Sequence, residues 1–295
     1  RAGQISNFQK EKYFNVELDC DGIPAVKPKI FDPDEAEQLR SRCQGSEAIV
    51  TAVKETEKKV KAPKLYDLTT LQREANRIYG MTAKQTLDTA QSLYEKKLIT
   101  YPRTDSQYLT EDMEQTARNV VRQIYEKYQL TGPFDQPEQP DVKKVMNNSK
   151  VTDHHAIIPT MELASCHLGE LKSWEEKILF LIAVHTVMAM SKDHIYQETE
   201  IEVECQEEIF KAKGKIVLQD GWKLFENCFK NKDRMAIVDP DQEMKERMPK
   251  VTQGQTFYAV AAEKTEHFTS PPKPYSDVIF CERKEWIGIE ERSSA

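Results

Sequence analysis

The sequence predicts an α+β protein in which two strand-rich flanks form one β-rich domain and a helical, helix-turn-helix-like domain is inserted between them. Three observations carry this expectation. Apolar and polar residues alternate over 12–20 and again over 196–205, the period of half-buried strands. Between those stretches, apolar residues recur every three or four positions, the period of amphipathic helices. The helical stretch is itself interrupted at Leu98-Ile99-Thr100-Tyr101-Pro102-Arg103-Thr104-Asp105-Ser106, where a proline stops the helix. The expected boundaries are 1–62 plus 194–268 for the β-rich domain, 63–193 for the helical domain and 269–295 for a truncated or divergent tail.

The elements follow in chain order. Phe14, Val16, Leu18 and Cys20 line one face of the first strand, and Asn15, Glu17 and Asp19 the other. Asp21-Gly22 marks a turn, with 25–31 as the hairpin partner. Asp32-Pro33-Asp34 opens a helix, with proline in its first turn. A strand over 47–56 and a linker from Lys58 to Lys64 come next. Thr69 or Thr70 caps a helix bearing Leu71, Ala75 and Ile78, which Gly80 ends. Thr82 and Gln85 form a capping-box pattern for a second helix carrying Ala83, Leu87, Ala90 and Tyr94. Two short helices around a glycine resemble a helix-turn-helix unit.

A longer helix after Thr110 carries Met113, Ala117, Val120, Val121, Ile124 and Tyr128, and residues 131–150 read as a surface loop. Ser173 and Glu176 suggest a second capping box, before an apolar helix in which His185 reads as a packed core histidine. On the strand at 196–205, Glu198, Glu200, Glu202 and Glu204 form an acidic face expected to meet solvent and to lie away from nucleic acid. Further strands are expected at 209–218, 234–238 and 255–263.

Composition narrows the class. With 295 residues, 39% of them hydrophobic and 31% charged, the chain can fill two cores and reads as an ordinary soluble protein. No apolar run approaches the roughly 20 residues of a membrane span, and no signal peptide opens the chain. The first residue is Arg1, which reads as a cut from something longer. Six scattered cysteines (Cys20, Cys43, Cys166, Cys205, Cys228 and Cys281) include no Cys-x-x-Cys pair, which argues against a zinc site and for a reducing, cytoplasmic setting. The net charge of −7 does not advertise a nucleic-acid binder, yet residues 61–103 carry eight Lys or Arg against four Asp or Glu.

The break at residues 98–106 is where chemistry is expected. Pro102 disfavours helical backbone at Tyr101, so a tyrosine stands at a helix end with access to solvent. Arg103 offers a planar, permanently charged fork that suits phosphate oxygens. A tyrosine, an arginine and hydroxyls at this spacing suit attack on a phosphodiester, because a phosphotyrosine conserves the energy of the broken bond for resealing. A free phenol keeps its proton to about pH 10, so nearby cations or a metal must favour the phenolate. The plain alternative is a tyrosine packing at a helix end beside a surface arginine.

Residues 98–106 resemble the active-site segment of the type IA DNA topoisomerases. Val151-Thr152-Asp153-His154-His155-Ala156-Ile157-Ile158-Pro159-Thr160 resembles the second catalytic segment of that family, in a two-histidine form similar to its bacterial topoisomerase III branch. Gln91-Ser92-Leu93-Tyr94-Glu95 resembles the family's approach to the tyrosine, and the likeness runs over roughly residues 6–276. It implies that Tyr101 is the nucleophile that forms a 5′-phosphotyrosine, that Arg103 contacts the scissile phosphate and that His154 hydrogen-bonds near it. Gln91 and Glu95 match positions lining the DNA cleft. Thr104 and Asp105 complete the segment on the DNA side, and His155 supports its neighbour.

The resemblance further implies a toroidal enzyme whose β-rich gate, or arch, carries the tyrosine domain. Its substrate would be DNA, with single strands preferred, its state a monomer, and no membrane partner is expected. The family's Mg²⁺-binding domain, with an Asp-x-Asp cluster, would precede Arg1, so no metal is expected in this chain. Asp239-Pro240-Asp241 and Asp32-Pro33-Asp34 lack the accompanying glycine and glutamate and read as proline turns. From Asp277 to Ala295 the likeness stops.

Two other classes remain open from sequence. In one, a non-catalytic DNA-binding module uses the helix-turn-helix-like pair and Arg103 to hold DNA. Tyrosine recombinase or relaxase chemistry would need an arginine cluster or a histidine triad, and neither pattern is present.

Overall fold

The computed structural model describes residues 8–130, 140–226 and 249–270, and these fall into two compact units. One comprises residues 8–59, 195–219 and 249–270, and the other 60–194 and 220–226.

The first unit is built on seven strands: β1 (Lys12–Cys20), β2 (Ile23–Ile30), β3 (Ala48–Val60), β4 (His194–Cys205), β5 (Glu208–Gln219), β6 (Thr256–Phe257) and β7 (Ala261–Phe268). Their order in the sheet is β6-β3-β4-β5-β2-β1-β7. The edge strands β6 and β7 are separated by only three residues, 258–260. Gly45 N–H donates to the Val260 carbonyl at 2.9 Å and Val260 N–H to the Ser46 carbonyl at 3.1 Å. The two edges are therefore drawn together and the sheet curls over its own core. Phe14, Val16, Leu18 and Cys20 of β1 meet Ile201, Val203 and Cys205 of β4 and Phe210 of β5 in that core. Helix α1 (Pro33–Cys43) closes it with Ala36, Leu39 and Cys43. Asp32 caps α1 by accepting from Asp34 N–H at 2.8 Å, so Asp32-Pro33-Asp34 is a helix start.

Two expectations for this unit change. The strand expected over 47–56 runs on to Val60, which shortens the linker expected from Lys58. The acidic outer row of β4 is not a bare negative face. In the hairpin register Glu202, Glu200 and Glu198 stand opposite Lys211, Lys213 and Lys215 of β5. Glu202 pairs with Lys211 at 2.9 Å, Glu200 pairs with Lys213, and Glu198 pairs with Lys58 of β3 at 2.6 Å. One strand's period cannot reveal what its neighbour presents. The strand expected at 234–238, the Asp239-Pro240-Asp241 turn and the tail beyond residue 270 lie outside the described residues.

The second unit holds α2 (Leu68–Tyr79), α3 (Ala83–Glu95), α4 (Glu114–Tyr128), α5 (Ser173–Ala189) and the short α6 (Lys223–Glu226). Helix α5 is its spine, apolar on every side and buried from Ile178 to Val184, as expected of a helix walled in by others. Leu71 and Ala75 of α2, Ala90 and Leu93 of α3, and Val120, Val121 and Ile124 of α4 share its core. Fully burying the leucine, isoleucine and valine side chains among these contributes roughly 1.5–3 kcal/mol each. Residues 220–226 belong to this unit, with Phe225 in its core.

The caps differ in detail from the sequence expectation. Helix α2 starts at Asp67, whose carboxylate accepts from Thr70 N–H at 2.7 Å, so Thr70 is the third helical residue and not the cap. Helix α5 starts one residue earlier than Ser173-Glu176 suggested, and Glu175, not Glu176, folds back to accept from Lys172 N–H at 2.9 Å. Thr82 and Gln85 cap α3 reciprocally, at 3.2 and 3.0 Å.

Candidate active site

Helix α3 delivers the chain to the site and stops without a glycine. Lys97 takes the left-handed conformation (φ 62°). Lys97 N–H donates to the Tyr94 carbonyl at 2.8 Å and Leu98 N–H to the Leu93 carbonyl at 2.9 Å. This bond pair is a Schellman motif, with Leu98 and Leu93 both buried as its hydrophobic contact. The end is held from outside as well. Thr160 hydroxyl donates to the Lys97 carbonyl and Thr160 N–H to the Leu98 carbonyl at 3.0 Å.

Beyond Leu98 the tyrosine segment and the histidine segment, some fifty residues apart in sequence, are laced together. Ile99 and Pro159 form an antiparallel bridge, as do Tyr66 and Ile157. Thr100 exchanges backbone and hydroxyl bonds with Ala156 and Ile158: its N–H donates to the Ile158 carbonyl at 3.0 Å and its hydroxyl to the Ala156 carbonyl at 2.9 Å. Ile158 N–H in turn donates to Thr100 Oγ1 at 3.0 Å. The buried Thr104 hydroxyl donates to the His154 carbonyl at 2.9 Å, and the buried Ser106 hydroxyl donates to the Lys150 carbonyl at 2.8 Å. Thr104, expected on the DNA side, is thus a buried strut between the two segments.

That lacing places side chains at the surface. Pro102 is buried and Tyr101 half-buried, while Arg103, Asp105 and His154 are exposed. The Tyr101 ring lies 4.4 Å from the His154 ring, centroid to centroid, tilted by 46°. It meets the Tyr94 ring edge-on at 5.3 Å and 75°. Tyr94, expected on the apolar face of α3, is 39% exposed; Thr86, Ala90 and Leu93 make the buried face instead. Gln91 and Glu95 flank Tyr94 on the same helix, with Gln91 Nε2 donating to Glu95 Oε1 at 3.2 Å. Arg103 has no ion-pair or hydrogen-bond partner among the described residues. His155 turns its Nδ1 to the Ala156 carbonyl at 2.9 Å, back into its own segment.

Two ionisable groups, the buried Glu175 and the half-buried His185, brace this surface. The Glu175 carboxylate accepts from Ser92 Oγ at 2.7 Å, on the last turn of α3, and from Lys96 Nζ at 2.6 Å, at the residue that caps it. Burial would raise its pKa, but the bonds from Lys96, Ser92 and Lys172 N–H outweigh that and bring it down to about 2. His185 stacks on Tyr66 at 3.6 Å and 13°, and its Nε2 donates to the Lys64 carbonyl at 2.8 Å. Burial lowers its pKa to about 4, the bond to Lys64 opposing the shift. Tyr66 carries the backbone bridge to Ile157, so the stack sits behind the histidine segment.

Among the described residues, no group of three or more His, Cys, Asp or Glu is placed to hold a metal ion. No helix among them is long and apolar enough to cross a membrane. Sequence reasoning missed Tyr94 as a neighbour of Tyr101 and Glu175 as the anchor of α3. The first was hidden by an aromatic at helical spacing, the second by an equally acidic neighbour.

Comparison with known proteins now adds to the geometry. The family model described as DNA topoisomerase matches residues 1–282. The chain is 34% identical over 293 residues to DNA topoisomerase 3 of Bacillus licheniformis, covering 94% of this chain and 38% of that protein. It is likewise 34% identical over 289 residues to DNA topoisomerase 3 of Bacillus subtilis, at the same two coverages. Against DNA topoisomerase 3 of Staphylococcus saprophyticus it is 32% identical over 240 residues, 77% of this chain and 33% of that protein. The chain thus spans well under half the length of these relatives. The structure of full-length topoisomerase I from Thermotoga maritima covers 98% of this chain and 46% of its own, with a TM-score of 0.67 and 24% identity, a likeness of fold.

Proposed function

The chain belongs to the type IA DNA topoisomerase family, and from that premise we propose that it is the central part of such an enzyme, with Tyr101 as the nucleophile that opens one DNA strand. The Tyr101 oxygen attacks the phosphorus and the bond to the 3′ oxygen breaks. The phenol proton is given up, and the 3′ oxygen takes up a proton and leaves as a hydroxyl. The strand's 5′ side stays on the tyrosine as a phosphotyrosine, and the reverse attack by the 3′-hydroxyl reseals it. Arg103 holds the phosphate's non-bridging oxygens with its planar fork, and His154 donates a hydrogen bond beside them. Gln91, Glu95 and Asp105 line the path of a single strand, and His155 steadies its neighbour.

One observation carries this reading. Hydroxyl and backbone bonds join the tyrosine and histidine segments, while Tyr101 is half-buried, His154 and Arg103 are exposed, and Arg103 has no partner among the described residues. Arg103, two residues from Tyr101 in sequence and exposed, is free among the described residues to take a phosphate. We assign the Mg²⁺ of this family to a part of the enzyme outside this chain, as the resemblance of the two catalytic segments implies. The working form is a monomer in the cytoplasm.

In the longer enzyme, Tyr101→Phe is expected to abolish the covalent DNA adduct on a denaturing gel while leaving DNA affinity nearly unchanged. An adduct formed by that variant would remove Tyr101 from the role, and unchanged absence of adduct in the parent would favour the non-catalytic DNA-binding module. Residues 1–295 alone are expected not to relax supercoiled DNA with Mg²⁺, because the resemblance assigns to another part of the enzyme preorganised groups worth on the order of 10²–10³ in rate each.

A further inference from the structure

We propose that Tyr94 is a positioning residue for Tyr101, its ring forming the fixed wall against which the nucleophile's ring is set. The proposal deepens the reading of Tyr101 as nucleophile and rests on it.

The described aromatic neighbours of Tyr101 are Tyr94 and His154, and they are held very differently. His154 is exposed, and what fixes it is its backbone carbonyl, through Thr104. Tyr94 stands on the most tightly fastened turn of the site. The turn is tied down on both sides of the Tyr94–Glu95 step: Ser92, two residues before Tyr94, and Lys96, next after Glu95, bond the buried Glu175, at 2.7 and 2.6 Å. The Tyr94 carbonyl itself accepts from Lys97 N–H in the Schellman motif, and Thr160 clasps the Lys97 and Leu98 carbonyls. The Thr160 that fastens this turn belongs to the same segment as His154, so the two rings around Tyr101 share one frame.

An aromatic ring 39% open to solvent contributes little to the core, yet this one meets Tyr101 at 5.3 Å and 75°, the edge-to-face arrangement that aromatic quadrupoles favour. The contact restricts the side-chain rotation of Tyr101, which lies outside any helix or strand and is otherwise only half-buried. In-line attack on phosphorus needs that direction fixed, because misplacement of a reacting atom by about 1 Å can cost roughly 10²-fold in rate. The ring is the working part, and the contact makes no demand on the Tyr94 hydroxyl.

Two measurements test this. In this chain, biosynthetic 3-fluorotyrosine labelling with ¹⁹F NMR gives a Tyr101 resonance, assigned by its loss in Tyr101→Phe. Tyr94→Ala is expected to shift and narrow that resonance, and Tyr94→Phe to leave it near its original place. In the longer enzyme with Mg²⁺, Tyr94→Ala is expected to slow single-turnover adduct formation about tenfold with DNA affinity unchanged, and Tyr94→Phe to restore the rate. A Tyr101 resonance indifferent to Tyr94→Ala, or a parental cleavage rate in that variant, overturns the proposal while Tyr101 remains the nucleophile. A loss in Tyr94→Ala that Tyr94→Phe fails to restore also overturns it, since the hydroxyl and not the ring would then be at work. An adduct that survives Tyr101→Phe defeats the underlying reading instead.

Discussion

The two units treat their charged residues in opposite ways. On the outer face of the β4–β5 hairpin every second residue is ionised, and three of its glutamates are taken by lysines: Glu202 by Lys211, Glu200 by Lys213, and Glu198 by Lys58 of β3. Around Tyr101 the helical unit does the reverse. Its hydroxyls, those of Thr104 and Ser106 buried and that of Thr100 half-buried, are spent on backbone carbonyls, while Arg103 and Asp105 face solvent with no partner among the described residues. A paired row keeps a strand soluble and its register defined. An unpaired cation on a rigid frame has its desolvation and its hydrogen bonds still available for a ligand. Charge counts along the sequence do not separate these cases, since both stretches are rich in ions. Pairing separates them.

The sharpest way to break that comparison is to remove one cation of each kind. In the longer enzyme, Arg103→Ala is expected to slow adduct formation by about 10²–10³ and to lower the salt slope of single-strand binding by about 0.7. Lys213→Ala is expected to leave both where they were, because its charge is already engaged by Glu200. Equal losses in the two variants, measured by quenched cleavage assays and salt titrations, would mean that pairing does not mark function here.

A smaller effect tests the bracing of the site. Glu175→Ala leaves Ser92 Oγ and Lys172 N–H without their acceptor, and about 2 kcal/mol of stability should go with it. Lys96 suffers less because its side chain is 41% exposed and can reach water. Acid should find the same braces in turn. The pKa of His185 is lowered from 6.5 to about 4 in the fold, so the unfolded chain takes up that proton first. Its contribution is therefore intact above about pH 6.5 and falls as pH drops towards 4. The pKa of Glu175 is lowered from 4.5 to about 2, so its contribution is intact above about pH 4.5 and falls from there towards 2. Thermal melts of the chain against pH should show the decline beginning in the His185 window, and His185→Phe, which keeps a ring against Tyr66, should flatten that part alone.

How much of this was legible depends on whether a signal is local. The start of α3 was, because Thr82 and Gln85 bond each other within one turn. So were the β1 and β4 faces, since the pleat alone sorts Val16 from Glu17 and Val203 from Glu202. The two segments of the site could be picked out by composition and resemblance, but their lacing could not. Thr100 and Thr104 look like any hydroxyls until the partner carbonyls at Ala156 and His154 are known. Glu175 and Glu176 are equivalent in sequence, and only the approach of Ser92 and Lys96 from α3 chooses between them. Tyr94 fits the apolar period of its helix and is nevertheless at the surface, because the core takes the neighbouring stripe of Thr86, Ala90 and Leu93.

The end of α3 is the subtlest case, and the smallest expected effect. A helix end usually announces itself with glycine, as α2 does at Gly80, whose φ is 68°. Helix α3 makes its turn with Lys97 at φ 62°, a conformation in which any Cβ crowds the following carbonyl, at a cost of roughly 1–2 kcal/mol. The Lys97 side chain is exposed and has no partner among the described residues, so nothing on it offsets that cost within the chain. Replacing it should therefore separate backbone strain from side-chain function. Lys97→Gly relieves the strain, although glycine's freer unfolded chain takes back part of the gain, for a net stabilisation of about 1 kcal/mol or less. Lys97→Ala keeps the Cβ and should gain almost nothing. Melting temperatures some 2–4 °C higher for the glycine variant alone would fit relief of the turn. If both variants also lost affinity for single-stranded DNA, Lys97 would join Arg103 as an unpaired cation held for a ligand. Unchanged affinity in both would leave Lys97 as a strained corner whose only task is to end the helix and aim the chain at Tyr101.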